Sequence, residues 1–238
     1  MKRLLLPALL FTTLTACTAA PADTLPAAVP TPTPASTPAP TAAPAPADAL
    51  TPEEKIGQLF IIRPDALDLT LPQETINDAK ADGVTMLTDA MRETLQAYPV
   101  GGICQFGKNI TDPEQLAQFN ADLQAASRTP LFIAVDEEGG AVARLANHPA
   151  FDLPQYESAA AVGASGDPAD ACAMGQTIGA YLKEYGFNMD FAPDADVNTN
   201  PDNPIIGTRA FSSDAATAAE MAAAAADGLR TGGILPTL

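Results

Sequence analysis

Residues 136–140 read Asp-Glu-Glu-Gly-Gly, and Arg144 follows shortly after. Three carboxylates ahead of two glycines allow close approach of a ligand, and an ionised Asp136 can accept hydrogen bonds from two adjacent sugar hydroxyls at once. The plainer alternative is a charged, solvated loop with a Gly-rich turn. A second run places oxygen ligands at alternate positions, Asp194, Asp196, Asn198, Asn200 and Asp202, like a calcium loop. An EF-hand needs Gly sixth and Glu twelfth, where this stretch has Thr199 and Ile205, so no metal site is assigned. Arg209, in Gly207-Thr-Arg-Ala-Phe211, offers a planar donor fork to hydroxyls or a carboxylate, or else a structural pair with a nearby Asp. His148 is the single histidine, ahead of Pro149, with no Cys or second His at ligand spacing. Zinc is unsupported, and His148 reads as a surface residue. No Ser stands in a nucleophile-elbow pattern, which removes acyl-transfer hydrolysis. No cofactor is implied.

These residues need a scaffold that holds them at strand ends. Apolar runs at 59–62, 100–106, 131–135, 187–191 and 234–238 predict five strands, each apolar enough to be buried on both faces. Helix starts punctuate them. Thr51-Pro-Glu-Glu54 combines an N-cap, a first-turn Pro and a capping Glu, and Thr111-Asp-Pro-Glu114 repeats the signal for a helix through about Ser127. Asp167-Pro168 opens a helix that ends near Gly186, and an Ala-rich helix spans Asp214 to Arg230 ahead of Gly232-Gly233. Strand alternating with helix predicts a parallel α/β sheet, and polar residues at the carboxyl ends of its strands are the functional positions. Alternation alone does not choose between an open doubly wound sheet and a closed barrel. No Gly-rich phosphate fingerprint follows the first strand, which weakens the nucleotide-binding version.

The first fifty residues belong to a different regime. Lys2 and Arg3 precede an apolar run, Leu4 to Leu14, too short for a bilayer span of ~20 residues, so residues 1–16 read as a signal peptide. Leu14-Thr-Ala-Cys17 resembles the bacterial lipobox, which makes Cys17 the expected lipid anchor and places the chain outside the cytoplasm on a bacterial membrane. Residues 17–50 form a Pro/Ala/Thr-rich linker with nine prolines, a semi-rigid spacer at ~3.1 Å per residue. One domain, 51–238, remains. The formal charge is -17, and loss of Lys2 and Arg3 takes the 12 basic residues to 10 against 29 acidic ones. Such a surface repels phosphate backbones and anionic lipid heads, so nucleic acid is excluded and membrane contact is expected through the lipid alone. Cys104 and Cys172 sit in unrelated settings and are expected as buried free thiols.

Val135-Asp-Glu-Glu-Gly-Gly140 with Arg144, then Phe187-Asn-Met-Asp-Phe-Ala-Pro193, then Ile206-Gly-Thr-Arg-Ala-Phe211, resemble in order and spacing the family 3 glycoside hydrolases, specifically the β-N-acetylhexosaminidase branch. The resemblance implies a TIM-like (β/α)8 barrel and retaining exo-hydrolysis of terminal β-linked N-acetylglucosamine, with a carbohydrate as the partner molecule. It assigns Asp136, Arg144 and Arg209 to substrate binding. The chain departs from the family pattern at Ala141 and Asp194, where related chains commonly carry Arg and an apolar residue. In the family, the stretch resembling 228–238 leads into a Lys-His pair, a His-bearing loop and, later, a nucleophilic Asp. The expectation is therefore an incomplete barrel of about five strands, with binding residues but no catalytic residue within this chain, and with an unpaired strand edge. A β-glucosidase of the same family and a noncatalytic, lipid-anchored sugar-binding protein are the competing readings.

Overall fold

A computed structural model describes residues 49–238. The signal peptide, Cys17 and all but the end of the linker lie outside those residues. The folded chain starts where the sequence places it: α1 (Pro52–Gly57) is capped by Thr51, whose hydroxyl accepts from the Glu54 amide while the Glu54 carboxylate accepts from the Thr51 amide. Each satisfies an amide that a helix end would otherwise leave bare.

Five of the strands form one parallel sheet: β1 (Ile61–Ile62), β2 (Gly102–Cys104), β3 (Phe132–Val135), β6 (Met189–Asp190) and β7 (Leu235–Pro236). They are neighbours in the order in which the chain makes them, pairing Ile61 with Gly102, Gly102 with Phe132, Ala134 with Met189 and Met189 with Leu235. A doubly wound sheet reverses its order at a switch point, and a (β/α)8 barrel never does. The uninterrupted order is that of a barrel wall, which resolves the choice that alternation left open. A separate antiparallel hairpin, β4 (Glu137–Gly139) and β5 (Val142–Ala143), grows directly from the end of β3. Gly139 and Gly140 turn it with φ of 82° and 73°, a region closed to most side chains.

Side chains alternate across the sheet with the two-residue period of a strand. Ile62, Ile103, Ile133 and Val135 join the main core with the helices, while Ile61, Cys104, Ala134 and Met189 form a smaller cluster on the opposite face. Burial is uneven. The central strands are enclosed apart from Phe132 at the start of β3, which is exposed, whereas β1 is only half-buried, Leu59 and Phe60 just before it are 81% and 55% exposed, and Leu235 in β7 is exposed. The expectation that all five strands are buried on both faces therefore fails at Phe132 and at the two outer strands. Among the described residues each outer strand has a sheet neighbour on one side only.

The helices between strands are α4 (Pro113–Ala126), α6 (Pro168–Glu184) and α7 (Ala215–Gly232). Asp112, Asp167 and Asp214 cap them through their carboxylates, so the second helix starts on Asp112 and not on Thr111. Gly233, in the left-handed region, ends α7. Helices α6 and α7 press together along a seam of small residues. A β-carbon on Gly175 would stand 2.1 Å from the Ala225 carbonyl oxygen, and one on Gly228 2.1 Å from that of Cys172.

The segment from 63 to 99 carries a 3-10 turn (Pro64–Leu67), α2 (Gln73–Asn77) and α3 (Asp89–Ala97), none of which the apolar pattern announces. Leu67, Met91 and Leu95 bury into the main core, and polar side chains pin the rest. Buried Asp65 accepts from the Val84 amide and the Asn109 side chain, and Lys108 reaches the carbonyls of Thr75, Ile76 and Asp78. A short helix at Ala159–Gly163, α5, packs beside α6 and completes the set.

Candidate functional site

The carboxyl ends of β3, β6 and β7 open onto one face, and the sequence-selected residues gather there. Asp136 follows β3 directly, and its Oδ2 accepts from Arg144 Nη2 at 2.8 Å. Arg144 is placed by β5, so the hairpin's function is geometric: it folds the chain back on itself and returns an arginine to the carboxylate eight residues earlier. Both side chains are partly exposed, and Oδ1 of Asp136 stays available to a ligand hydroxyl.

Arg209 is not in this pair. It stands in the 3-10 turn Gly207–Arg209, ahead of α7, where Nε and Nη2 donate to Glu138 at 2.8 and 2.6 Å and Nη2 lies 3.3 Å from Asp194. The bidentate bond to Glu138 raises the guanidinium pKa further, and the charges of Glu138 and Asp194 add to it. The structure thus forms two ion-paired groups, Asp136 with Arg144 and Arg209 with Glu138 and Asp194. Around the second lies a depression of about 430 Å3 lined by Glu138, Phe191, Pro193, Asp194, Arg209 and Thr237. Asp194, one of the two departures from the family pattern, is therefore an added carboxylate on the site arginine; the other, Ala141, is exposed in the hairpin turn.

Glu137 points the other way. It is 0% exposed, and its carboxylate accepts from the Leu145 and Ala146 amides and from the Tyr181 hydroxyl, each at 2.9 Å. Burial raises its pKa, with the three donors pulling back. Asp190, at the end of β6, is also fully buried: Oδ1 accepts from the Glu137 amide at 3.0 Å, while Oδ2 has no partner. Burial pushes its pKa well above the ordinary carboxylate value, helped by the charge of Glu137. Burial and Glu137 also raise the Tyr181 phenol. Perturbed carboxyl groups often mark catalysis. These two are enclosed beneath the open face, where no substrate atom reaches, so they act as supports that fix the Asp136–Glu138 backbone. Sequence reasoning grouped Glu137 with Asp136 and Glu138, the two carboxylates that meet the site arginines. The strand period held the signal, because residues 136 and 138 face one way and 137 the other.

In the run of alternating Asp and Asn residues after β6, several side chains are turned back onto the backbone. Asp194, Asn200 and Asn203 each accept from the amide two residues on, a series of Asx turns. Among the described residues no cluster of three or more His, Cys, Asp or Glu side chains is arranged to hold a metal ion. His148 is half-buried, its Nδ1 accepting from the Ala150 amide and its ring edge-on to Phe151. Cys104 is buried, as expected, and burial pushes its thiol up to about 12; Cys172 is only partly buried.

A β-hexosaminidase A from Pseudoalteromonas piscicida is 32% identical over 160 residues, covering 65% of this chain and 27% of that protein. β-Hexosaminidase LpqI from Mycobacterium tuberculosis is 31% identical over 203 residues, or 79% and 42% of the two chains. Among solved structures, a family 3 β-N-acetylglucosaminidase from Paenibacillus sp. superposes with a TM-score of 0.64 at 32% identity, over 79% of this chain and 32% of that one. NagZ from Neisseria gonorrhoeae, in complex with N-trifluoroacetyl-D-glucosamine, gives 0.57 at 28% identity over 64% and 46%. The chain spans less than half the length of these relatives. Residues 51–238 match the glycosyl hydrolase family 3 N terminal domain, and the chain belongs to that family, whose N-terminal domain is a TIM-barrel-like α/β fold.

Proposed function

We propose that residues 51–238 form the sugar-gripping part of a retaining β-N-acetylhexosaminidase that removes terminal β-linked N-acetylglucosamine. The observation that carries this is the Asp136–Arg144 pair at the end of β3, within a domain of this family and beside relatives named as β-hexosaminidases. Asp136 accepts from hydroxyls of the ring. Arg144 fixes the carboxylate's orientation, and Arg209, whose Nη1 is held only by a long 3.4 Å contact to the Ile205 carbonyl, donates from that nitrogen to a ring oxygen. A retaining mechanism further requires a carboxylate nucleophile at the anomeric carbon and a group that protonates the leaving oxygen and then activates water. We assign neither role to Asp136, Arg144 or Arg209, which bind and orient, nor to the enclosed Glu137 and Asp190.

The discriminating experiment measures binding of N-acetylglucosamine and of glucose to the full chain, before and after Asp136→Ala. Saturable binding that prefers the 2-acetamido sugar and is lost in the variant supports the assignment. Preference for glucose points to the β-glucosidase reading, and binding indifferent to Asp136 refutes the site.

The same proposal includes export and lipidation. Lys2, Arg3, the apolar run to Leu14 and Leu14-Thr-Ala-Cys17 support a signal peptide whose product is anchored through Cys17, with the Pro-rich linker as a spacer. Mass spectrometry of the protein made in a bacterium reads this directly: a diacylglycerol adduct on Cys17, abolished by Cys17→Ser, is the expected result. A mature chain that retains residues 1–16 refutes it.

A further inference from the structure

We propose that a second cavity, over the carboxyl ends of β1 and β2, binds an oxyanion, a carboxylate or phosphate group. It encloses about 350 Å3 and is lined by Arg63, Ala79, Phe106, Gly107, Lys108 and Arg144. Three of those six side chains are cationic, in a chain whose formal charge is -17. Two of these cations have a carboxylate beside them, Lys108 with Asp65 and Arg144 with Asp136, so the positive excess of the cavity is that of Arg63, and an anion is the ligand that answers it.

The three cations are not equivalent. Lys108 is only 4% exposed and is committed to structure: its ammonium donates to the carbonyls of Thr75, Ile76 and Asp78 and lies 3.4 Å from Asp65. Its charge is answered by Asp65, so it shapes the cavity wall and is not the anion's partner. The Arg63 guanidinium carbon sits over the Phe106 ring, 4.2 Å from its centroid, and Nη1 donates to the Ile76 carbonyl at 3.1 Å. No carboxylate pairs with it among the described residues. The ring contact and the single bond hold the guanidinium in place, and its other donors make no hydrogen bond among the described residues. Arg144 gives Nη2 to Asp136, but its Nε is buried without a partner. A buried donor with no acceptor is a standing cost that a ligand oxygen would remove.

An immobilised fork with no counter-ion and an orphaned guanidinium N–H, both on one cavity, form the arrangement that receives an oxyanion. A neutral sugar hydroxyl would satisfy the single N–H but leave the charge of Arg63 unanswered. The location beside Asp136 suggests that the anion is carried on the sugar ligand; that last step rests on the function proposed above, whereas the anion site itself stands on Arg63 and Arg144.

The test is calorimetric titration of the full chain with inorganic phosphate, glucuronate and glucose at low ionic strength. Saturable binding of phosphate or glucuronate that weakens with added salt is expected, reduced about tenfold or more in Arg63→Gln through the lost charged hydrogen bonds. Because Arg63 also anchors Ile76, a second variant is needed that leaves the fold alone. Ala79 is exposed at the cavity, so Ala79→Glu places a carboxylate at its mouth and is expected to abolish anion binding without moving the melting temperature. Glucuronate binding tighter than phosphate identifies a sugar-borne anion, and equal or tighter phosphate binding identifies a free oxyanion. Absence of saturable binding by either anion, or the same affinity in both variants, overturns the site. Loss of N-acetylglucosamine preference with anion binding intact would remove the proposed function and leave this cavity standing.

Discussion

Gly228→Ala tests whether α6 and α7 are packed backbone to backbone. The added methyl would lie 2.1 Å from the Cys172 carbonyl oxygen and 2.8 Å from the Gln176 amide nitrogen, against 3.4 Å for ordinary contact. Those atoms belong to the backbone of α6, so no rotamer change relieves them, and the helices must part by roughly 1 Å over the contact. Gly175 against Ala225 is just as close at 2.1 Å, and Gly232 stands 2.7 Å from Gly179, so separation at one point loosens the whole seam. Overpacking of this kind costs about 1–3 kcal/mol, and the rigidity of the opposing helix places it toward the upper end. Helix propensity acts oppositely, favouring Ala over Gly by about 1 kcal/mol. The net expectation is a destabilisation of about 2 kcal/mol, or roughly 4–8 °C for a domain of this size. Urea unfolding should show a lower midpoint at unchanged slope. Gly107→Ala, whose new β-carbon meets nothing within 4 Å, is the control and should stay within about 0.5 kcal/mol of the parent. A Gly228→Ala chain that melts at or above the parent temperature would refute the close-packed seam, because propensity alone predicts that sign.

Other perturbations probe the polar layer under the site. Asp190 keeps its proton in the folded state at pH values where the unfolded chain, near 4, has released it, so stability is greatest below that value and falls as pH rises toward the folded pKa. Asp190→Asn removes the titration: its melting temperature relative to the parent should climb with pH above about 4, and a flat difference contradicts the buried, protonated carboxyl. Tyr181→Phe removes one of three hydrogen bonds to buried Glu137 and should cost about 1.5–3 kcal/mol in urea unfolding; a neutral result means the phenol is dispensable. Of the two thiols in the domain, half-exposed Cys172 should react first with a thiol reagent near pH 8, and Cys104, held at about 12 by burial, should wait for unfolding. Equal native rates would show that the inner cluster is open.

Much of the scaffold was legible because its signals are local. Apolar runs marked all five parallel strands, and the Asp-Pro and Thr-Pro starts marked helices to within a residue or so, with Asp112 capping in place of Thr111. Strand order was not legible, since pairing joins residues far apart in sequence. The segment from 63 to 99 escaped because its elements are short, offer only a few core residues each, such as Leu67, Met91 and Leu95, and lean on Asp65, Lys108 and Asn109, polar residues that ordinarily read as surface. In the site, Asp136 and Arg144 were chosen by type and family pattern and meet as an ion pair. Arg209 was also chosen, but its main partner, Glu138, lies 71 residues away, and only one nearby Asp, Asp194, shares it. No local reading ranks such partners.

The order in which the strands lie side by side also shapes how the domain is made. Paired strand residues are 30 to 55 positions apart, so each new strand docks on the edge left by its predecessor. Closure entropy differs by only about 0.5 kcal/mol between the shortest and longest of these loops, so no single pairing is a bottleneck. A chain that emerges N-terminus first presents each new strand to an edge already in place, so the wall can be laid course by course in the order of the sequence.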